Sequence, residues 1–119
     1  MWYRIGYLSV GNQKLKTMRI DLEANEFVLK AADSLHYRGN DKLEGKLILT
    51  NQRLYFATVN GAPEKIKISI ETTDISEIFP FSNKVFFSNG MCLHMKNGKE
   101  MKFEVKERNK WMGLIAKVM

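Results

Sequence analysis

The sequence has very few of the residues on which disulfides, metal centres and catalytic sites are usually built. Its 119 residues include one cysteine and two histidines. Cys92 alone cannot form a disulfide within the chain or supply a zinc site with several thiolates. The sequence also lacks a P-loop, an HExxH pair, a GxSxG elbow and an EF-hand loop. We therefore expect no enzymatic activity, no catalytic residues, no bound metal and no cofactor.

Long apolar runs are missing as well. No run approaches the roughly 20 residues that a membrane-spanning helix requires. The first ten residues, MWYRIGYLSV, lack the apolar segment and small-residue cleavage site of a secretory signal peptide. The expected location is therefore the cytoplasm, and peripheral attachment to a membrane is left open. A chain of 119 residues is expected to form one domain with a single core.

Cys92 and His94 lie two residues apart in a predicted strand, so their side chains share one face. A nucleophile pair could be built from such residues. A small buried thiol and a packed or half-exposed histidine are far commoner, and that is our expectation here.

Positive charge is unevenly distributed along the chain, whose formal net charge is +6. Residues 1–83 carry 11 Lys/Arg against 10 Asp/Glu, whereas residues 84–119 carry 8 against 3. A basic surface favours anionic partners, although the same charge can serve solubility alone. Specific nucleic-acid binding is not expected, because the adjacent Phe86 and Phe87 would point to opposite faces of a strand.

The most regular pattern is LEGKLILTNQRLYF, residues 43–56. It predicts two strands joined by a two-residue turn at Asn51-Gln52, and a primed turn would place Asn51 at positive φ. Side chains alternate between the faces of a strand. One face of the hairpin is therefore apolar and consists of Leu47, Leu49, Leu54 and Phe56. The other face is mixed and consists of Lys46, Ile48, Tyr55 and Ala57.

Further strands are predicted at 26–37 and 65–71, with a polar connection at 36–42. Apolar content continues at Ile75, Ile78, Phe79 and Phe81, where Pro80 favours a sheet edge or a bulge. Eight apolar residues between positions 85 and 105 are all odd-numbered, which predicts three-residue hairpin loops that end in glycine at positive φ. They are Val85, Phe87, Met91, Leu93, Met95, Met101, Phe103 and Val105. The first loop is Ser88-Asn89-Gly90, which pairs Phe87 with Met91 and Val85 with Leu93. The second is Lys96-Asn97-Gly98, which pairs Leu93 with Met101 and Met91 with Phe103.

A helix is predicted from about Glu107 to about Val118. One of its faces carries Trp111, Leu114, Ile115 and Val118 at the i, i+3, i+4, i+7 spacing. Gly113 costs this helix about 1 kcal/mol relative to alanine, and we expect it to allow close approach to the sheet.

The predicted fold is mainly β, an antiparallel barrel or sandwich of about seven strands capped by the C-terminal α-helix. The predicted domain spans 26–119, with residues 1–25 as an extended N-terminal extension packed on it.

The central hairpin also resembles a known family. The central signature of GRAM domains is matched by Gly45, Leu47, Leu49, Thr50, Asn51, Arg53, Leu54 and Phe56. GRAM domains are relatives of the pleckstrin-homology (PH) fold and occur in membrane-associated proteins. The resemblance covers residue 26 to the end, and the strands followed by a terminal helix agree with a PH-like fold. It implies a non-catalytic module that acts at a membrane surface or as an adaptor.

The resemblance also implies a ligand site, since PH-type domains usually hold phosphoinositide headgroups with basic residues around their first hairpin. The candidate residues for binding anionic lipid are Lys30, Arg38, Lys42 and Lys46, with further cations available at Lys99, Lys102, Lys106 and Arg108. Asn40 stands where the family pattern has its last arginine, so we expect weak binding rather than a stereospecific site. Nearby acidic side chains that would oppose an anion are those of Asp33, Asp41 and Glu44.

The alternative is a protein-docking module with no lipid ligand. PH-like domains can bind a peptide along an exposed strand edge or beside the C-terminal helix. The expected partners are therefore anionic membrane lipid or a protein, and self-association through residues 1–25 is left open.

Overall fold

A computed structural model describes residues 2–5, 18–59, 61–82 and 89–119, with side chains from residue 20 onwards. Its strands are β1 (Trp2–Ile5), β2 (Met18–Asp21), β3 (Val28–Arg38), β4 (Asp41–Thr50), β5 (Arg53–Thr58), β6 (Lys67–Glu71), β7 (Ile75–Phe81), β8 (Gly90–Met95) and β9 (Glu100–Val105). A 3₁₀ turn at Thr72–Asp74 precedes β7, and one α-helix, α1 (Arg108–Val118), ends the chain.

Seven of these strands form one antiparallel sheet in the order β6-β5-β4-β3-β9-β8-β7. The sheet curls into a half-barrel, and α1 contacts β7, β8 and the 3₁₀ turn. Trp111 and Ile115 of the helix are fully buried in the core. Strands β1 and β2 form a separate two-stranded ribbon. The predicted PH-like fold of about seven strands and a C-terminal helix is confirmed.

The central hairpin has the predicted register. Leu47 pairs with Phe56, Ile48 with Tyr55 and Leu49 with Leu54. The turn differs from the prediction, because neither Asn51 nor Gln52 has positive φ. The hydroxyl of Thr50 accepts hydrogen bonds from the backbone N–H groups of Gln52 and Arg53 at 3.1 and 2.9 Å. Side-chain bonds, rather than a primed backbone, therefore close this turn.

Both faces of the hairpin are buried. Its apolar face belongs to the main core, together with Ile70, Ile75, Met91, Leu93, Phe103, Val105, Trp111 and Ile115. On the opposite face, Ile48 is fully buried against Ile20 and Leu22 in a second, smaller cluster. The segment just before β3 therefore covers the face of β4 that the sequence presents as mixed. The boundary between residues 1–25 and 26–119 stays a prediction.

The first predicted glycine loop is wrong. Val85 and Phe87 lie outside the described residues, but β8 already has β7 on one side and β9 on the other. Met91 pairs with Pro80 and Phe103, and Leu93 pairs with Ile78 and Met101. Gly90 does not have positive φ. It begins β8 where a Cβ would lie 2.6 Å from the ring of Phe81, so the glycine permits close packing instead.

The second glycine loop is confirmed. Gly98 has φ +90°, and the N–H of Met95 donates to the carbonyl of Lys99 at 2.8 Å across the three-residue loop.

The predicted polar connection at 36–42 is wrong, because β3 and β4 continue to a tight turn at Gly39, whose φ is +61°. Pro80 lies in β7, an edge strand of the sheet, as predicted.

The helix has the predicted length, but Gly113 does not serve a close approach. Gly113 is exposed, and a Cβ there would meet no atom within 4 Å. The predicted close approach is wrong because the buried face of α1 is centred on Trp111 and Ile115.

Candidate functional site

The four predicted cations do not lie in one cluster. Lys30 and Arg38 are at opposite ends of β3, eight residues and about 27 Å apart along an extended strand. Lys42 and Lys46 lie on β4, at the turn and in the middle of the strand. Each of the four has a different set of neighbours.

Lys30 links β3 to the start of the helix. Its ammonium group lies 3.2 Å from a carboxylate oxygen of Glu107 and 5.8 Å from the centre of the Trp111 ring. Hydrogen bonds from Lys110 and Lys30 lower the pKa of Glu107. Lys30 therefore connects β3 to the residue that precedes α1.

Lys46 is 5% exposed and forms an ion pair with Asp33, its direct partner across β3 and β4. A buried ammonium group in an ion pair has little capacity to attract an external anion. Removing either partner would leave an uncompensated charge, which is strongly destabilising.

Arg38 joins the β3–β4 turn to the loop before β6. Its guanidinium group donates two hydrogen bonds to Glu64, at 2.8 and 2.6 Å. This pair raises the pKa of Arg38 and lowers the pKa of Glu64. An anion would have to compete with the Glu64 carboxylate for the same donors.

A pocket of about 490 Å³ opens beside this pair, between the β3–β4 turn and the β5–β6 loop. Its apolar lining includes Leu43, Val59 and Pro63. Its charged lining consists of Asp41, Lys42, Glu44 and Glu64. Three carboxylates against one ammonium group give the pocket an acidic character, which opposes the binding of phosphate inside it.

Lys42 has a different environment. Its ammonium group lies 5.1 Å from the centre of the Tyr37 ring, and Tyr37 is its direct partner on β3. On its other side, Tyr37 is paired with Lys102 of β9. The ammonium group of Lys102 lies 5.4 Å from the Phe81 ring, and Phe81 meets Tyr37 edge to face with 5.5 Å between ring centres. We call these four residues the Tyr37 patch.

Both lysines of the Tyr37 patch are exposed. Among the described residues, neither ammonium group forms an ion pair, and each lies over an aromatic ring. Glu44 and Glu104 lie one row further along the same face, on either side of Leu35. Burial and the nearby Glu104 carboxylate raise the pKa of Tyr37. The patch is therefore basic and aromatic, with acidic groups at its border.

Similarity to known proteins is found at the level of structure. A crystal structure of the C-terminal domain of an unknown protein from Leishmania infantum has a TM-score of 0.65 and 19% identity, covering 78% of this chain and 84% of that one. The Vps36 N-terminal PH domain has a TM-score of 0.63 and 14% identity, covering 98% and 94%. The Slm1 PH domain, crystallised in complex with phosphoserine, has a TM-score of 0.55 and 13% identity, covering 76% and 91%.

The chain has a pleckstrin-homology fold. No protein-family model matches the sequence, and no curated protein matches it either. At identities of 13–19%, the similarity shows the fold and does not confirm the narrower GRAM assignment. In this PH fold, the first hairpin of the seven-stranded sheet is β3–β4.

The histidines and the cysteine of the PH fold have distinct surroundings. His36 is buried against the rings of Phe56 and Phe103, and its Nδ1 lies 3.0 Å from the carbonyl oxygen of Lys102. Burial lowers the pKa of His36, which is consistent with a neutral core histidine. Cys92 is buried and His94 is partly exposed, as predicted. Burial and a hydrogen bond to Glu100 raise the pKa of Cys92 to about 11.

Within the described ranges, no helix of this PH fold is long and apolar enough to cross a membrane.

The sequence reasoning missed the Tyr37 patch as a unit, although Lys42 and Lys102 were both named as cations. Lys102 lies 65 residues after Tyr37, so no local sequence signal places the two side by side, and only the strand order joins them.

Proposed function

We propose that this chain is a non-catalytic, GRAM-like PH module that attaches weakly to anionic lipid headgroups at the cytoplasmic surface of a membrane. The observation that carries the proposal is the Tyr37 patch, in which the exposed Lys42 and Lys102 lie over aromatic rings and form no ion pair within the described residues. The Slm1 PH domain, crystallised with phosphoserine, offers a parallel for a phosphate group on this fold.

The expected affinity follows from the number of available cations. Strands β4 and β9 flank β3, so the backbones of Lys42 and Lys102 are about 10 Å apart. Each lysine near an anionic surface contributes about 1 kcal/mol. Two such groups, bordered by Glu44 and Glu104, support reversible attachment rather than tight recognition of one headgroup.

Among the four sequence-predicted residues, Lys42 is the one that the proposal relies on most. Arg38 lies at the same turn and would add to the field of the surface even while it is bonded to Glu64. Lys30 and Lys46 are proposed to stabilise the fold rather than to bind lipid, because they form ion pairs with Glu107 and Asp33, respectively.

Vesicle co-sedimentation tests this proposal. The protein is mixed with phosphatidylcholine vesicles, with or without phosphatidylserine, at low and at physiological salt. We expect sedimentation only with the anionic vesicles and a steep loss as salt rises, because exposed charges are screened over about 8–10 Å near physiological ionic strength. Absence of sedimentation with anionic vesicles at low salt would eliminate the lipid proposal.

A second candidate function, protein docking, is favoured by the acidic pocket. A groove of about 490 Å³ that combines three carboxylates with Leu43, Val59 and Pro63 suits a peptide with a basic residue next to apolar ones. Peptides can be selected from a random display library on the parent chain, with Asp41→Asn/Glu44→Gln used for counter-selection. Docking in this pocket predicts basic–apolar peptides that bind the parent and lose at least about tenfold in affinity for the variant. Selected peptides that bind both chains equally would place any docking site elsewhere.

A further inference from the structure

A cluster of three metal-ligating side chains lies on β8 and β9, next to Lys102 of the Tyr37 patch, which is the direct partner of Cys92. Cys92 and His94 are two residues apart on β8, and Glu100 is the direct partner of His94 on β9. Their ligand atoms all lie within 4.8 Å of one another. It is the one such trio of His, Cys, Asp or Glu side chains found in the part of the chain that the structure describes.

The Glu100 carboxylate contacts each of the other two side chains at close to the spacing around a tetrahedral ion, but through its two different oxygens, so its side chain has to rotate for one oxygen to serve a single ion. Zinc binds thiolate sulfur at about 2.3 Å, imidazole nitrogen at about 2.0–2.1 Å and carboxylate oxygen at about 2.0–2.2 Å. Ligand atoms at those distances stand about 3.3–3.8 Å apart in a tetrahedron. Here the Cys92 Sγ lies 3.4 Å from Oε2 of Glu100, and the His94 Nε2 lies 3.2 Å from Oε1 of the same residue.

The hairpin fixes these positions before any ion arrives. The three-residue loop that ends at Gly98 holds β8 and β9 in one register, so all three donors lie on the same face. The ring of Phe79 meets the His94 imidazole edge to face at 4.7 Å, which limits its rotation. Each donor comes from a strand rather than a flexible loop, and sites built on strands hold their geometry better.

The cluster is also accessible to solvent. Cys92 is buried, but the side chains of His94 and Glu100 are 37% and 48% exposed. An ion could therefore enter from solvent and keep water in its fourth position. The mixture of one sulfur, one nitrogen and one oxygen donor suits zinc and cobalt better than magnesium or calcium, which prefer oxygen alone.

We propose that Cys92, His94 and Glu100 form a binding site for one divalent ion of the zinc type, with an open fourth position. On binding, the ion replaces the thiol proton of Cys92, which leaves to solvent, so the ligand is the thiolate. This proposal revises the expectation from sequence that no metal is bound, and it does not depend on the proposed lipid binding.

The test is titration of the chelator-treated protein with Co²⁺ alone, followed by displacement with Zn²⁺. We expect one equivalent of Co²⁺ to give a thiolate-to-cobalt charge-transfer band and the visible bands of a tetrahedral ion. Cys92→Ser should abolish the charge-transfer band. His94→Gln and Glu100→Gln should each weaken binding by at least about tenfold. Glu71→Gln, an exposed carboxylate on edge strand β6, is the matched control and should bind like the parent.

Because the Cys92 side chain is buried, Cys92→Ser could lose the band through misfolding alone. A second readout, the unfolding midpoint, separates loss of the metal site from loss of the fold. Zn²⁺ should raise the unfolding midpoint of the parent and of Glu71→Gln, because a ligand that binds only the folded state stabilises it. The exposed Glu100→Gln variant should fold normally and lose this rise. Absence of the charge-transfer band in the parent, or equal binding by Glu100→Gln and Glu71→Gln, would show a hydrogen-bonded cluster only and overturn the proposal.

Discussion

At the scale of single residues, two glycines have opposite roles that their sequence context does not reveal. A Cβ at Gly113 would meet nothing within 4 Å on the exposed side of α1. A Cβ at Gly90 would lie 2.6 Å from a ring carbon of Phe81 and 2.7 Å from the Phe81 carbonyl oxygen. From the sequence, Gly113 was expected to allow close approach to the sheet, and Gly90 was expected to have positive φ. The structure shows neither, and it is Gly90 that allows a close approach.

The two alanine variants therefore form a matched pair. Gly113→Ala should stabilise the protein by about 1 kcal/mol, through helix propensity alone. Gly90→Ala should destabilise it by about 1–3 kcal/mol, because the added methyl group overpacks a strand pair. Urea unfolding measures both free energies. A shift of the two midpoints in the same direction would contradict this explanation.

At the scale of elements, residues 20–28 are attached to the central hairpin by a buried carboxylate. Glu26 is 8% exposed and accepts hydrogen bonds from the Thr50 hydroxyl and from the Arg53 guanidinium group. Burial acts to raise the pKa of Glu26, but hydrogen bonds from Thr50, from the Glu23 backbone and from Arg53 outweigh it, so the pKa is lowered overall. The ionised carboxylate therefore stabilises the fold.

Glu26→Gln should cost about 1–3 kcal/mol at neutral pH, since it replaces charge-assisted hydrogen bonds with neutral ones. Because the pKa is lower in the folded state, this stabilisation is present above the ordinary pKa of 4.5 and is lost as pH falls through the folded value. Unfolding curves of the parent and the variant should converge in acid. Glu23→Gln, an exposed neighbour, is the control and should leave the midpoint unchanged. A difference that persists at low pH would refute the role of the ionised form.

The strands of the sheet differ in how well their partners could be predicted from the sequence. Alternation gave the register of β4 with β5 and of β8 with β9, because neighbouring strands and a short loop leave few choices. The odd or even position of a residue in a strand predicts on which face of the sheet its side chain lies, but not which strand lies next to it. Met91 and Leu93 could therefore be assigned to the core, whereas their partners Pro80 and Ile78 on β7 could not be chosen over Val85 and Phe87.

At the scale of the whole molecule, the sheet order explains why the basic last third of the chain matters for the first hairpin. Strand β9 lies next to β3, so Lys102 is placed beside Tyr37 and one strand away from Lys42. This pairing joins positions 65 residues apart and leaves no local signal. Sequence reasoning could therefore name the cations and the PH-like fold but could not bring Lys42 and Lys102 into one patch.

The measurement that tests the central claim most directly compares two double charge reversals in anionic-vesicle binding at low salt. Lys42→Glu/Lys102→Glu removes both cations of the Tyr37 patch. Lys65→Glu/Lys67→Glu makes the same change in net charge at exposed positions in and beside edge strand β6. We expect the first variant to lose at least about tenfold in vesicle partitioning, from about 1 kcal/mol per lysine, and the second to lose much less. Equal losses in the two variants would mean that net charge alone governs attachment and would contradict a binding surface at the Tyr37 patch.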